Sequence, residues 1–139
     1  MKDQNAALRI GYMTLLNTIG NGVNVFYEQA PDNAVHGSKY IVVRSTVNVG
    51  DDDKNSFNSK TSVVVECISV GGAVSPVTDS EFMVGAVKGL IDRVNQPNLS
   101  PDFVCITTKL TSDEQLTMND GANKILRRVL RYEHQIGQL

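Results

Sequence analysis

The alternation of apolar and polar positions divides the chain into two helical and five extended segments. Leu8, Tyr12 and Ile19 recur at helical spacing, which predicts an amphipathic helix over roughly residues 3–19. A second helix is predicted from a Thr78-x-x-Glu81 capping box to about residue 95, because apolar residues again repeat every three or four positions. Both segments need an apolar layer to pack against.

Valine-rich segments with two-residue alternation predict the strands. They span residues 23–29, 39–49, 60–70 and 103–110. Within 39–49, Val47 and Val49 are predicted to share a face with Ile41. The strand over 60–70 is apolar on both faces for part of its length, which indicates a central position in a sheet. Residues 111–121 are polar and lead to a turn at Asn119-Asp120-Gly121.

The last segment, residues 123–136, fits two periods. Ile125, Val129 and Tyr132 fit a helix, whereas Leu126 and Leu130 lie on one face of a strand together with Tyr132. Periodicity does not decide between them. A strand is favoured because the preceding strand and the Asn-Asp-Gly turn form a natural hairpin.

The order of elements is α-β-β-β-α-β-β. It predicts a single α+β domain over residues 1–139, with a mostly antiparallel sheet and two helices packed on one face. The 139 residues and 41% hydrophobic content are sufficient for a folded core. No apolar run approaches the roughly 18 residues of a membrane span, so synthesis in a cytoplasm without membrane insertion is expected.

Three consecutive aspartates, Asp51, Asp52 and Asp53, lie between the two strongest strand segments. An EF-hand needs ligands at alternating positions, glycine at the sixth and glutamate at the twelfth; Ser56 and Ser62 occupy those two positions here. The stretch is therefore interpreted as a hydrated hairpin tip.

No catalytic constellation, cofactor motif or metal-ligand spacing is recognised. His36 and His134 are the only histidines, and His134 beside Glu133 is weak evidence for a pair because adjacent strand residues point to opposite faces. Cys67 and Cys105 lie inside apolar strands and are interpreted as small buried thiols. The sequence thus favours a protein that acts through its surfaces, with an enzyme as the third-ranked hypothesis.

Charge is unevenly distributed along the chain. Residues 61–121 carry eight acidic and three basic residues, whereas residues 122–139 carry Lys124, Arg127, Arg128 and Arg131 against one glutamate. Such a distribution allows the acidic side of one copy to meet the basic side of another. The alternative is a small nucleic-acid-binding domain, but the pI of about 5.6 and the absence of tryptophan argue against it.

Taken in order, several segments resemble the tail terminator (tail-completion) family of double-stranded DNA bacteriophages and related head–tail joining proteins. The resembling segments are VNVFYEQAP, YIVVRS, KTSVVVECIS, the Gly71-Gly72 break before TDSEFMVGAVKGLIDRV, and the closing basic strand RRVLRYEHQI. The resemblance covers nearly the whole chain.

The resemblance implies a non-enzymatic virion protein, assembled in the host cytoplasm into a ring of typically six subunits. The ring would cap the tail tube and contact tube and neck or connector proteins, while DNA passes through without sequence-specific binding. A projecting hairpin is implied around residues 47–62, and Asp51–Asp53 at its tip are expected to face a partner or the lumen. We expect Arg127, Arg128 or Arg131 to pair with acids of the adjacent subunit.

Overall fold

The computed structural model describes residues 4–20, 22–29, 39–50, 58–71, 76–92, 94–120 and 123–138. Two helices and five strands follow in the predicted order. They are α1 (Gln4–Leu16), β1 (Asn24–Tyr27), β2 (Lys39–Gly50), β3 (Asn58–Gly71), α2 (Pro76–Leu90), β4 (Phe103–Asp120) and β5 (Asn123–Gln138). The α+β class and the order of elements are confirmed.

The five strands form one mixed sheet in the order β1-β2-β3-β5-β4. The short β1 pairs with β2 in parallel, and every other pair is antiparallel. The position of β3 in the middle confirms the prediction from its two apolar faces. Residues 123–136, for which a helix and a strand were both considered, lie in strand β5.

Both helices pack on the same face of the sheet, as predicted. Leu8 and Tyr12 of α1 and Met83 of α2 meet Val65 of β3 and Leu130 of β5 in a single core cluster. We call this side the helix-covered face and the other side the open face. Within the described ranges, no helix lies on the open face.

Close packing against the segment before β4 requires a glycine at position 11 of α1. A Cβ atom at Gly11 would lie 3.1 Å from Pro97 Cβ, 3.2 Å from Asn98 O and 3.3 Å from Leu99 Cδ2. The buried Leu99 therefore anchors the segment between α2 and β4 directly on the α1 backbone.

The structure corrects three boundaries. Helix α2 begins at Pro76, so Thr78 lies inside the helix and is not its cap; proline is favoured in the first helical turn, where its missing N–H costs nothing. The helix ends at Leu90 because the Asp92 carboxylate accepts hydrogen bonds from the backbone N–H groups of Val94 and Asn95. Val94, which falls within the predicted helical range, lies beyond the helix and is 86% exposed.

The third corrected boundary is the end of β4, because the polar segment 111–121 is not a loop and β4 continues to Asp120. Its pairing with β5 runs from Phe103 opposite Gln138 to Asp120 opposite Asn123, interrupted at two irregularities. Hydrogen bonding to β5 therefore overrides the weak strand signal of this polar sequence. The predicted alternation of β2 is also interrupted, because the register shifts between Ser45 and Val47.

None of the helices in the described residues is both long enough and apolar enough to span a bilayer.

Candidate functional site

A buried polar cluster joins α1 to the two strands at the β4 edge. The Tyr12 hydroxyl contacts His134 Nε2, while His134 Nδ1 lies 3.1 Å from Thr108 Oγ1 and 3.4 Å from Cys105 Sγ. His134 has no exposed surface and Thr108 is only 5% exposed. A neutral imidazole satisfies both sides, because one ring nitrogen donates and the other accepts.

The protonation states of this cluster are those of a structural network. Burial lowers the pKa of His134 to about 4, and burial also raises the pKa of the Cys105 thiol. A nucleophilic Cys–His pair needs the opposite shifts, a thiolate beside an imidazolium. The cluster therefore holds α1 against β4 and β5 and does not assemble a nucleophile.

Sequence reasoning placed His134 and Cys105 separately and missed their contact. The available signal was the two-residue alternation of the strand. It places His134 on the same face as Leu130, Tyr132 and Ile136, which are buried. Glu133 lies on the opposite face, as expected for a neighbour in a strand. The pairing with Tyr12 depends on how α1 is placed on the sheet, which no local pattern encodes.

A cleft of about 560 Å³ opens between the end of α2 and the middle of β4. Ile91, Leu110 and Tyr132 form its apolar wall, with Lys88 and Asp92 among its polar lining residues. The Tyr132 hydroxyl is buried without a hydrogen-bond partner. Thr108 also lines the cleft, but it is itself only 5% exposed and the His134 imidazole that it contacts is fully buried.

An ion-paired triad lies beside this cleft on the helix-covered face. Asp113 accepts hydrogen bonds from Lys88 Nζ at 2.7 Å and from Arg128 Nη2 at 2.8 Å. The bonds from Arg128 are the main reason that the pKa of Asp113 lies far below its usual range. Arg128 is thus committed to an acid of its own chain.

Arg127 and Arg131 point the other way, to the open face. Arg127 lies in register with Ile68 of β3, and Arg131 with Val64. Beside them, Arg44 Nη1 lies 3.4 Å from Glu66 Oε1. Glu66 is only 7% exposed, yet its Oε2 and the buried Nε of Arg127 have no hydrogen-bond partner.

The open face also exposes large apolar side chains. Leu116 and Met118, near the end of β4, are 48% and 54% exposed, and both share this face with Arg127 by register. Near the beginning of the same strand, Val104 is 42% exposed. We define the open-face patch as Arg44, Arg127, Arg131, Leu116 and Met118.

A second outward surface lies on the far side of the molecule, on the helical layer. Phe82 and Val77 of α2 are 40% and 39% exposed, and Glu81 is exposed beside them. A Cβ atom added at Gly85 or Gly89 would have open space around it. We define the α2 outer stripe as these five residues, Val77, Glu81, Phe82, Gly85 and Gly89.

The predicted contact residues are thus divided by the fold. Arg127 and Arg131 lie together on the open face, whereas Arg128 lies on the helix-covered face. Asp51, Asp52, Asp53 and His36 fall outside the described residues. The hairpin predicted around 47–62 is described at its base, where Gly50 pairs with Ser59.

In the described part of the chain, no three His, Cys, Asp or Glu side chains are grouped closely enough to hold a metal ion. Cys67 and Cys105 are both buried and free, as the sequence predicted.

Solved structures share this fold across almost the whole chain. A chain in the structure described as the virion of a native gene transfer agent particle matches with a TM-score of 0.59 and 14% identity, over 95% of this chain and 91% of its own. A second solved protein, which carries no functional name, matches with a TM-score of 0.55 and 10% identity, over 94% of this chain and 95% of its own. At these identities the likeness concerns the fold.

No protein-family model matches the sequence, and no curated protein matches it.

Proposed function

We propose that this protein is a non-enzymatic structural component of a phage-type virion. In this proposal it forms a ring, of about six copies by the family resemblance, that caps the tail tube and joins it to the neck of the head. The observation that carries the proposal is the end-to-end fold match to a chain of a gene transfer agent virion. The match covers both chains almost completely, so it relates whole domains and not a shared motif.

The chemistry of the described residues supports a structural role. The Cys105–His134 contact has the protonation states of a core network. Thr108, which lines the cleft beside α2, contacts the same fully buried imidazole. What the molecule does present is two outward surfaces with apolar side chains, on opposite sides of one domain. Such a pair is suited to a closed ring, in which unlike patches meet head to tail.

The alternative, a nucleic-acid-binding domain using the basic C-terminal strand, fits this geometry less well. Of the three arginines of β5, Arg128 is neutralised by Asp113 on the helix-covered face. Arg127 and Arg131 lie on an open face that also carries Glu66, Glu114 and Glu133, and acidic side chains repel a phosphate backbone. DNA would pass through the ring without specific contacts.

The test is electron microscopy of particles from the producing host, with and without the gene for this chain. Deletion is expected to leave tails of uncontrolled length that are not joined to filled heads, because the tube has lost its cap and its neck contact. Complementation by the wild-type gene is the control. Normal joined particles that lack the chain would overturn the proposal.

A further inference from the structure

We propose that neighbouring copies dock with the α2 outer stripe of one copy seated on the open-face patch of the next. This inference rests on the proposed ring and identifies the surfaces through which its subunits contact one another. The two surfaces lie on opposite sides of the molecule, because α2 packs one side against β3 and β5 and turns the stripe away from the sheet. A contact between opposite sides is heterologous, so a docked pair still has one free patch at one end and one free stripe at the other, and further copies can add until the ring closes.

Charge complementarity favours a second copy as the occupant of the patch. By strand register, the open face carries five basic and three acidic described side chains: Arg44, Lys60, Lys109, Arg127 and Arg131 against Glu66, Glu114 and Glu133. The stripe supplies the exposed acid Glu81, one turn from Val77 and adjacent to Phe82. The surplus of positive charge on one surface thus meets an acid on the other.

The centre of the open face is incompletely paired within one copy. Glu66 is more than nine-tenths buried and Arg44 contacts only its Oε1, while Oε2 has no donor. The Arg127 Nε is buried without an acceptor. Buried polar groups are ordinarily paired. A carboxylate from a neighbouring copy can accept a hydrogen bond from the Arg127 guanidinium, which Glu66 leaves incompletely paired.

Shape and apolar area agree with this arrangement. Leu116 and Met118 provide the apolar part of the patch, and Phe82 and Val77 provide that of the stripe. Gly85 and Gly89 add no side chain above the helix surface. A flat sheet face can therefore approach the α2 backbone closely along the second half of the helix.

The first test is cross-linking between copies in particles that contain the ring. A cysteine at position 81 (Glu81→Cys) and one at position 131 (Arg131→Cys) are placed in separate chains and co-expressed. A short bifunctional maleimide is expected to give a dimer band from the mixture and none from either variant alone. Both native thiols are buried and serve as the unreactive background.

The matched control is Lys124→Cys, which lies on the same strand β5 but on the opposite face from Arg131. Glu81→Cys is not expected to cross-link to it. Ring-containing particles that give no 81–131 dimer, or give the 81–124 dimer equally, would overturn the contact and leave the proposed function intact. Joined particles without this chain would contradict both.

Charge reversal provides a second measurement that does not depend on cross-linking. Arg131→Glu is expected to raise the concentration for half-maximal ring assembly by about tenfold, and Glu81→Arg is expected to do the same. The double variant restores assembly, because each contact again joins an acid to a base. Lys124→Glu, with the same charge change on the other face, leaves assembly unchanged. Failure of the double variant to recover, with its thermal midpoint unchanged, would contradict the pairing.

Discussion

The two faces of one sheet carry different chemistry on the same strands. On β5, Leu130 and Tyr132 are buried under the helices, while their neighbours Val129 and Arg131 point to the open face. Among the described residues of the helix-covered face, the Tyr132 hydroxyl is the one buried side-chain polar atom without a hydrogen-bond partner. The open face leaves apolar side chains exposed and an ion cluster incompletely paired. One face therefore carries the core of the domain, whereas the other presents apolar and charged side chains at the surface.

The largest effect should come from truncating adjacent residues on opposite faces. Leu130→Ala is expected to lower the free energy of unfolding by about 2–5 kcal/mol, because it removes a fully buried side chain and leaves a cavity. Val129→Ala on the open face should cost about 1 kcal/mol or less, because its side chain is already partly exposed. Urea unfolding measures both. Equal losses would show that the open face is as well packed as the covered one.

The buried histidine makes the covered face sensitive to acid. The pKa of His134 is lowered from 6.5 to about 4, so the unfolded chain binds a proton that the folded chain excludes. The free energy of unfolding is therefore not reduced by this group above pH 6.5. It decreases as the pH falls from 6.5 through about 4, in total by about 3 kcal/mol.

The control for this pH dependence is His134→Gln, which keeps hydrogen-bonding groups but does not titrate. Its free energy of unfolding should change less between pH 7 and pH 4.5 than that of the wild type. Asp113 does not interfere in this window, because its lowered pKa acts only at lower pH. An unchanged slope in the variant would exclude His134 as the acid-sensitive group.

Two helical glycines should respond to alanine with opposite signs. Gly11→Ala is expected to destabilise the domain by about 1 kcal/mol, because the new Cβ would press on Pro97 and Asn98. Gly89→Ala has open space and should stabilise the isolated domain by about 0.5–1 kcal/mol through better helix propensity. Thermal unfolding compares them. Stabilisation by both substitutions would contradict the close packing of α1 on the segment before β4.

The smallest expected effect is a difference in stability loss between substitutions of two arginines of β5. Arg128→Gln is expected to cost about 0.5–1 kcal/mol, because it breaks the pair with Asp113. Arg131→Gln should change stability by less than about 0.5 kcal/mol, since its side chain is exposed on the open face. The result to look for is the order of the two losses in denaturant unfolding. A larger loss for Arg131→Gln than for Arg128→Gln would contradict the assignment of the stabilising intrachain ion pair to Arg128.

Local pattern predicted the elements, and pairing across the sheet decided the rest. The valines of β3 indicated its central position, and the alternation of Leu126, Leu130 and Tyr132 favoured a strand in the last segment. Residues 111–120 carried no such signal, because their strand state follows from the partner β5. The C-terminal end of α2 was missed since the Asp92 side chain replaces the next helical turn.

The candidate surface was predicted only in part. The basic character of the C-terminal strand is visible in the sequence, and parity separates Arg128 from Arg127 and Arg131. The link between Arg128 and Asp113 could not be foreseen, because residue 113 was assigned to a polar segment outside the sheet. The exposure of Leu116 and Met118 was missed for the same reason.

The most direct test of the ring proposal is to locate the chain in intact particles. A small C-terminal tag on this chain, labelled and imaged by electron microscopy, is predicted to mark a closed ring at the head-proximal end of every tail. An untagged strain provides the background. Labelling elsewhere in the particle, or particles that join heads to tails while carrying no label and no copy of the chain, would contradict the account.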